Sequence, residues 1–300
     1  MLHRDNKVDI IKKQKSIIMK NETEIKELVR EKYSQIASQS KTQNASSCCG
    51  ATGCGDLYNI MADDYTKLEG YNPDADLGLG CGLPTEFAKI KAGDTVVDLG
   101  SGAGNDAFIA RRIVGERGRV IGIDITEKMI ELAKNNALKL GYKNVEFRHG
   151  DIDSMPLFSN KTDVVVSNCV LNLVPNKHKV FSEIFRVLKP GGHFSISDIV
   201  IEGELPSKWR EIAELYAGCV SGAIQKSEYL GIIEEAGFTN ITLQKDRTIN
   251  IPDEILAEYL NAEEIGEFKK SHVRITSITV YADKSSKDER NCCEPGSGCC

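Results

Sequence analysis

Ten cysteines stand at positions 48, 49, 54, 81, 169, 219, 292, 293, 299 and 300 of a 300-residue chain. Six of them form vicinal pairs, Cys48-Cys49, Cys292-Cys293 and Cys299-Cys300. Vicinal cysteines bridge each other only through strained disulfides, so such pairs suit dithiol chemistry on a bound atom better than a structural bond. In a chain of this length that opens on a polar, charged stretch, clustered thiols point to a soft metal or metalloid, or to redox work, rather than to a secreted disulfide frame. Zinc is disfavoured, because neither paired C-x-x-C motifs nor histidines at ligand spacing accompany the thiols. The five histidines are scattered, and His149 and His193 lie in strand-like runs where a structural role is expected.

A second chemistry resides in Asp98-Leu99-Gly100-Ser101-Gly102-Ala103-Gly104. An apolar run, Val96-Val97, leads into glycines that let the backbone turn sharply and approach a ligand closely. Asp124 closes the next apolar run about 20 residues past Gly104, the position from which a carboxylate reaches ribose hydroxyls. A dinucleotide fingerprint spaces its glycines G-x-G-x-x-G and sets a helix N-terminus against pyrophosphate. Here the spacing is G-x-G-x-G, with Asp98 ahead of it. S-adenosylmethionine has no phosphate but carries an ammonium and a sulfonium, so an acidic loop suits it. Asp151, in His149-Gly150-Asp151-Ile152, is a candidate acceptor for the adenine amino group. The loop therefore indicates a methyl donor and leaves the acceptor open.

Elements must bring these groups together. Strand-like runs fall at Thr95–Leu99, Val120–Asp124, Val145–His149, Asp163–Asn168 and His193–Val200, with helical patterns at 105–114, 127–140 and 176–188 between them. The last of those helices is expected to stop at Lys189-Pro190-Gly191-Gly192. Strands alternating with helices imply an α/β fold, a Rossmann-like doubly wound and mostly parallel sheet, with its ligand at the carboxyl edge. Further helices are expected near 207–217 and 227–236, and strands near 239–246 and 273–282, forming a smaller C-terminal α+β part. Upstream, a helix follows Asn21 with Glu24 at capping-box spacing and Ile25, Leu28, Val29, Tyr33 and Ile36 as its apolar face. Residues 1–20 read as a short peripheral helix, 38–56 as a loop, and 57–90 as too glycine-rich for regular structure.

Four runs together resemble arsenite methyltransferases: Leu79-Gly80-Cys81-Gly82-Leu83-Pro84, the loop Asp98–Asp106, Ser167-Asn168-Cys169-Val170-Leu171-Asn172-Leu173, and Ala217-Gly218-Cys219-Val220-Ser221-Gly222-Ala223. The likeness spans roughly residues 57–250, and Leu188–Gly192 is shared more widely among class I methyltransferases. The resemblance implies that Cys81, Cys169 and Cys219 hold trivalent arsenic, Cys169 and Cys219 sufficing for methylated species. Soft thiolates match that soft, pyramidal centre, whose lone pair is free to attack a sulfonium methyl in line. No general base is needed, because arsenic loses no proton. The resemblance further implies a disulfide relay that returns the oxidised arsenic to the trivalent state. In it Cys81 pairs with an N-terminal cysteine, Cys49 or Cys54 being favoured over Cys48, and glutathione or thioredoxin then reduces the pair. The candidate donor set is Asp98, Gly100, Ser101, Gly102, Gly104, Asp124, Ile125, Met129, Asp151, Ile152 and Asn168, with no metal cofactor.

Composition narrows the partners. A net charge of -6 with no compact basic stripe argues against nucleic acid. The apolar runs are too short to span a bilayer, and residues 1–10 lack a signal-peptide core, so a cytoplasmic setting is expected. The partners are then a small arsenic compound and, as a candidate protein partner, thioredoxin. The expected organisation is an N-terminal helical and Cys-rich segment at 1–56, a donor-binding domain at 57–200, a substrate-side region at 201–283 and a flexible Cys-rich tail at 284–300, which could collect arsenite. Two other classes fit the sequence: a C- or O-methyltransferase for a small acceptor such as a quinone precursor, and a non-enzymatic arsenic-binding protein.

Overall fold

The computed structural model describes residues 22–39, 64–204, 222–250, 253–257, 260–271 and 273–286. Seven strands form one sheet: β1 (Thr95–Leu99), β2 (Arg119–Asp124), β3 (Val145–His149), β4 (Thr162–Asn168), β5 (Leu188–Glu202), β6 (Phe238–Thr248) and β7 (Arg274–Lys284). Their order is β3-β2-β1-β4-β5-β7-β6. The five strands from β3 to β5 pair in parallel, whereas β7 runs antiparallel to both β5 and β6. The order reverses between β1 and β4, and the crevice beyond their carboxyl ends is where a doubly wound sheet binds its ligand.

The apolar runs explain the layering. Because successive side chains alternate across a strand, Val97, Leu99, Ile121, Ile123 and Val165 face one layer and Val96, Val120, Val164 and Val166 the other. The first set packs on Phe181 and Ile184 of α5 (Lys177–Val187) and on Tyr229 and Ile233 of α6 (Lys226–Glu235). The second packs on Ala107 and Phe108 of α3 (Asn105–Val114) and on Ile130 and Ala133 of α4 (Glu127–Lys139). Phe108, Phe181 and Tyr229 are each fully buried, worth about 1.5–3 kcal/mol for a large apolar side chain. Asn176 caps α5 by accepting the Lys179 backbone N–H at 3.0 Å.

Several elements depart from the sequence expectation. Helix α5 ends at Val187, just ahead of Lys189–Gly192 as expected, but those residues belong to β5, with Gly191 at φ +81°. Strand β5 is thereby longer than the run His193–Val200. The glycine-rich stretch holds two single turns, a 3-10 turn at Tyr65–Lys67 capped by Asp64, and α2 (Pro84–Phe87) with proline in its first turn. In the N-terminal helix α1 (Glu22–Ala37), Ile36 is buried but Leu28 is 43% exposed, so the inward face runs through Lys26, Val29 and Tyr33 instead. Strands β6 and β7, with α7 (Asp253–Leu256) and α8 (Ala262–Lys270) between them, complete the same sheet. His149 and His193 contact the backbone carbonyls of Ile125 and Ala88 at 2.9 and 2.6 Å. No helix among the described residues is long and apolar enough to cross a membrane. The helices expected at 1–20 and near 207–217, most of the 38–56 stretch and nearly all of the tail lie outside the described residues.

Candidate active site

Strand β1 ends in Asp98-Leu99, and the chain then takes three left-handed glycines, Gly100, Gly102 and Gly104, at φ +65°, +50° and +100°. Gly102 N–H donates to Asp124 Oδ2 at 2.9 Å, and Thr126 N–H donates to Asp124 Oδ1 at 2.8 Å. The carboxylate at the end of β2 thus ties down the loop after β1. A cavity opens over this loop, lined by residues of β1, β2, β4 and α1. Among the described residues, five carboxyl residues line it, Asp76, Asp98, Asp106, Asp124 and Asp151, against one cationic side chain, Lys26.

Those carboxyls are held away from their ordinary state. Burial pushes Asp98 well above the usual carboxylate range, and the charges of Asp106 and Asp124 push the same way. Asp106 is raised to about 6 by burial, against hydrogen bonds from Asn168 and Tyr65 that favour its charge. Burial also raises Asp124, opposed by the Thr126 and Gly102 N–H groups. Among the described residues, Asp98 Oδ2, Ser101 Oγ, Asn105 Oδ1 and Asp106 Oδ1 are buried without a hydrogen-bond partner. Unmet acceptors around an acidic cavity fit a ligand that carries an ammonium and a sulfonium, and such a ligand would restore the ionised carboxyls.

Helix α1 closes the far side of the cavity. Lys26 Nζ pairs with Asp151 and Asp153 at 2.6 Å each, and Asp153 is also 3.4 Å from Lys179. Burial raises the Asp153 carboxyl, but Lys26 and Lys179 outweigh it and hold it below the usual range.

On the other side of the donor loop the cysteines meet. Asn168, the last residue of β4, accepts the backbone N–H groups of Cys81 and Gly82 at 3.0 and 3.2 Å and donates to the Gly82 carbonyl at 2.8 Å. The same amide also reaches Tyr65 and Asp106, and Tyr65 in turn donates to Asp106 at 2.9 Å and to the Gly82 carbonyl at 3.0 Å. A Cβ at Gly80 would lie 2.7 Å from the Asn168 amide nitrogen, so this approach requires glycine. Cys169, one residue beyond, takes φ +58° and donates its N–H to Ser197 at 2.8 Å. Cys81 and Cys169, 88 residues apart in sequence, are joined by a disulfide with Cα atoms 5.7 Å apart. They share an apolar cluster with Ile199, Ile201, Ala223 and Ile275.

Of the expected donor set, Asp98, Gly100, Ser101, Gly102, Asp124, Ile125, Asp151, Ile152 and Asn168 line the cavity, as does Cys169. Gly104 and Met129 do not. A Cβ at Gly104 would meet the Phe108 and Phe147 rings at 2.8 Å, so that glycine serves the entry into α3, and Met129 is wholly buried in the first turns of α4. Cys49, Cys54 and Cys219 lie outside the described residues. Sequence reasoning gave no role to Lys26, Tyr65 or Asp76. Asp106 falls within the glycine-loop run, but nothing in its spacing marked it as a wall of the site.

A left-handed glycine loop at the switch point of a doubly wound sheet, walled by carboxyls with unmet acceptors, defines a class I S-adenosylmethionine-dependent methyltransferase. Comparison with known proteins agrees: residues 90–237 match a family model described as a methyltransferase domain. The arsenite methyltransferase of Halobacterium salinarum is 37% identical over 284 residues, covering 89% of this chain and 68% of that protein. The crystal structure of an arsenic (III) S-adenosylmethionine methyltransferase from Chlamydomonas reinhardtii superposes with a TM-score of 0.59 at 33% identity, over 76% of this chain and 73% of the other. The chain belongs to the arsenite methyltransferase family. A demethylmenaquinone methyltransferase of Lactococcus lactis is 31% identical over 163 residues, covering 54% of this chain and 63% of that protein.

Proposed function

We propose that this chain transfers the methyl group of S-adenosylmethionine to trivalent arsenic held by the thiolates of Cys81, Cys169 and Cys219. The observation that carries this reading is the meeting of Cys81 and Cys169, distant in sequence, at the wall of the acidic donor cavity. Ala223, four residues past Cys219, packs in the same cluster as both, which is within about 14 Å of chain reach. The joined pair is the oxidised form, so a thiol reductant, glutathione or thioredoxin, must first open it to thiolates. Arsenite or its glutathione adduct then exchanges its ligands for the protein thiolates.

Bound in the cavity, S-adenosylmethionine supplies an electrophilic methyl on a cationic sulfur. Asp98 would receive the donor ammonium, Asp124 the ribose hydroxyls and Asp151 the adenine amino group, while Gly100, Ser101 and Gly102 would line its approach. The chain's contribution is to hold donor and thiol site in one geometry, which in well-oriented model reactions is worth about 7–11 kcal/mol. Methyl transfer raises arsenic formally from the trivalent to the pentavalent state. A pair of cysteine thiolates gives back two electrons by forming a disulfide, Cys81 with Cys49 or Cys54, and the external thiol resets it.

Chromatographic speciation of arsenite incubated with S-adenosylmethionine and thiol tests this, wild type against Cys169→Ser. Methylated arsenic from the wild type and its near-absence from the variant are expected; equal production would refute the site. The second reading, methylation of a quinone-like ring, is supported by the Lactococcus lactis relative. It requires no arsenite-dependent turnover and full activity of Cys169→Ser on its own acceptor.

A further inference from the structure

Beneath the cysteines lies a buried polar cluster that methyl transfer does not use. Asp198, in the middle of β5, is fully buried. Its carboxyl accepts the Ile199 N–H at 3.0 Å, the Tyr229 hydroxyl at 3.3 Å and the backbone N–H of Asn172. Lys177, at the start of α5, is 6% exposed, and its Nζ donates to the Gly222 carbonyl at 2.8 Å. Gly222 sits so closely on the Asn172 carbonyl that no side chain fits there. The Asn172 amide donates to the Ile199 carbonyl at 2.7 Å, and Ile201 N–H donates to Ile224 at 3.0 Å.

These bonds grip two chain segments. One is the turn from Cys169 to Leu173, of which Cys169, Val170 and Leu173 line the donor cavity. The other is Gly222–Ala223, of which Ala223 packs in the cluster that holds Cys81 and Cys169. An isolated buried charge is expensive, so Lys177 and Asp198 are retained in the interior only as each other's counter-charge and as bonding hubs.

We infer that Lys177 and Asp198 are positioning residues for the thiol site, clamping the turn after Cys169 and the chain at Gly222–Ala223 onto β5. This rests on the reading of those cysteines as the acceptor site, and it adds the residues that fix their geometry. Four groups face Asp198, namely Lys177 from α5, Tyr229 from α6 and the Ile199 and Asn172 backbone N–H groups, while Glu228 of α6 acts on Lys177. Burial raises the Asp198 carboxyl to about 7 and lowers the Lys177 amine, so the clamp changes charge near neutral pH.

The test uses full-length, reduced protein and two readouts. The first is the alkylation rate of Cys81 and Cys169 by iodoacetamide, mapped by mass spectrometry. The second is the KM for arsenite beside the Kd for S-adenosylmethionine. Lys177→Met is expected to change the Cys169 alkylation rate and raise the arsenite KM by about tenfold, the loss of one charged hydrogen bond, with donor Kd within about twofold. Lys177→Arg should restore most of both. In the wild type the alkylation rate of Cys169 should show an inflection near pH 7 beyond that of the thiol itself, absent in Asp198→Asn. If Lys177→Met unfolds, Asp198→Asn carries the comparison. Unchanged Cys169 reactivity in folded Lys177→Met or Asp198→Asn, or a donor Kd that rises in step with the arsenite KM, would overturn the clamp. A wild type that makes no methylated arsenic would instead refute the proposed function, and the alkylation readout would still decide the clamp.

Discussion

Asp98 ends β1 with one oxygen unpartnered and a carboxyl pKa that burial pushes well above the usual range. A ligand ammonium beside it would both pair with that oxygen and favour the ionised form. Asp98→Asn should therefore weaken S-adenosylmethionine about tenfold or more by calorimetry, the worth of a hydrogen bond between charged groups. S-adenosylhomocysteine keeps the ammonium and should lose as much; if only the sulfonium compound weakens, Asp98 contacts the sulfur instead. Gly104→Ala is a different kind of change, setting a Cβ 2.8 Å from two aromatic rings at φ +100°. It should destabilise the fold by about 1–3 kcal/mol in denaturant titration. The glycine loop, Asp124 and Asp151 were legible because glycine and acid at fixed offsets from a strand have few other uses. Lys26, Tyr65 and Asp106 were not, since a lone polar residue acquires its role only when a distant segment folds onto it.

Among the elements, α1 is the one whose role the structure changes most. Its inward residues meet the cavity wall, and Lys26 bridges two carboxylates at once. Removing the amine in Lys26→Met leaves the buried Asp153 with Lys179 alone. That should destabilise the seating of α1 by about 1–3 kcal/mol, read as faster hydrogen exchange across residues 22–37 and a several-fold faster donor release. Donor release as slow as in the wild type would remove α1 from the donor site. Because the folded Asp153 carboxyl is depressed, this contact is at full strength above the ordinary carboxylate range and is lost only as pH falls below it. Strands β1 and β3 and helix α3 could be read to the residue, since each has an unbroken apolar or helical pattern ended by glycine or charge. The start of β5 could not. Pro190 and two glycines normally end an element, and here a neighbouring strand tolerates them at its exposed beginning.

At the scale of the whole molecule, buried acids set the pH response. Asp98, Asp106, Asp124 and Asp198 all have raised carboxyl pKa values, so these four groups bind more protons in the folded chain than in the unfolded one, an advantage lost as pH rises to about 7. Stability of the ligand-free protein should fall as pH rises toward that value. Donor affinity should run the other way, strengthening as the same carboxyls ionise. Differential scanning calorimetry and donor titrations from pH 5 to 8 check both signs, and parallel trends would mean that the cavity acids do not meet the donor's charge. The sequence made the parallel half of the sheet legible through its alternating strands and helices. It could not reveal that β7 inserts between β5 and β6, because that pairing joins segments far apart and leaves no local pattern. That insertion has a consequence for how the protein is made. The outer edge of β5 is complete when Glu202 leaves the ribosome, yet its partner β7 follows about 80 residues later, roughly 4–16 s at ordinary rates of translation. Through that interval an apolar strand waits with unpaired backbone groups, so nascent chains halted before residue 273 should be captured by chaperones or aggregate, though the donor cavity's strands are already synthesised.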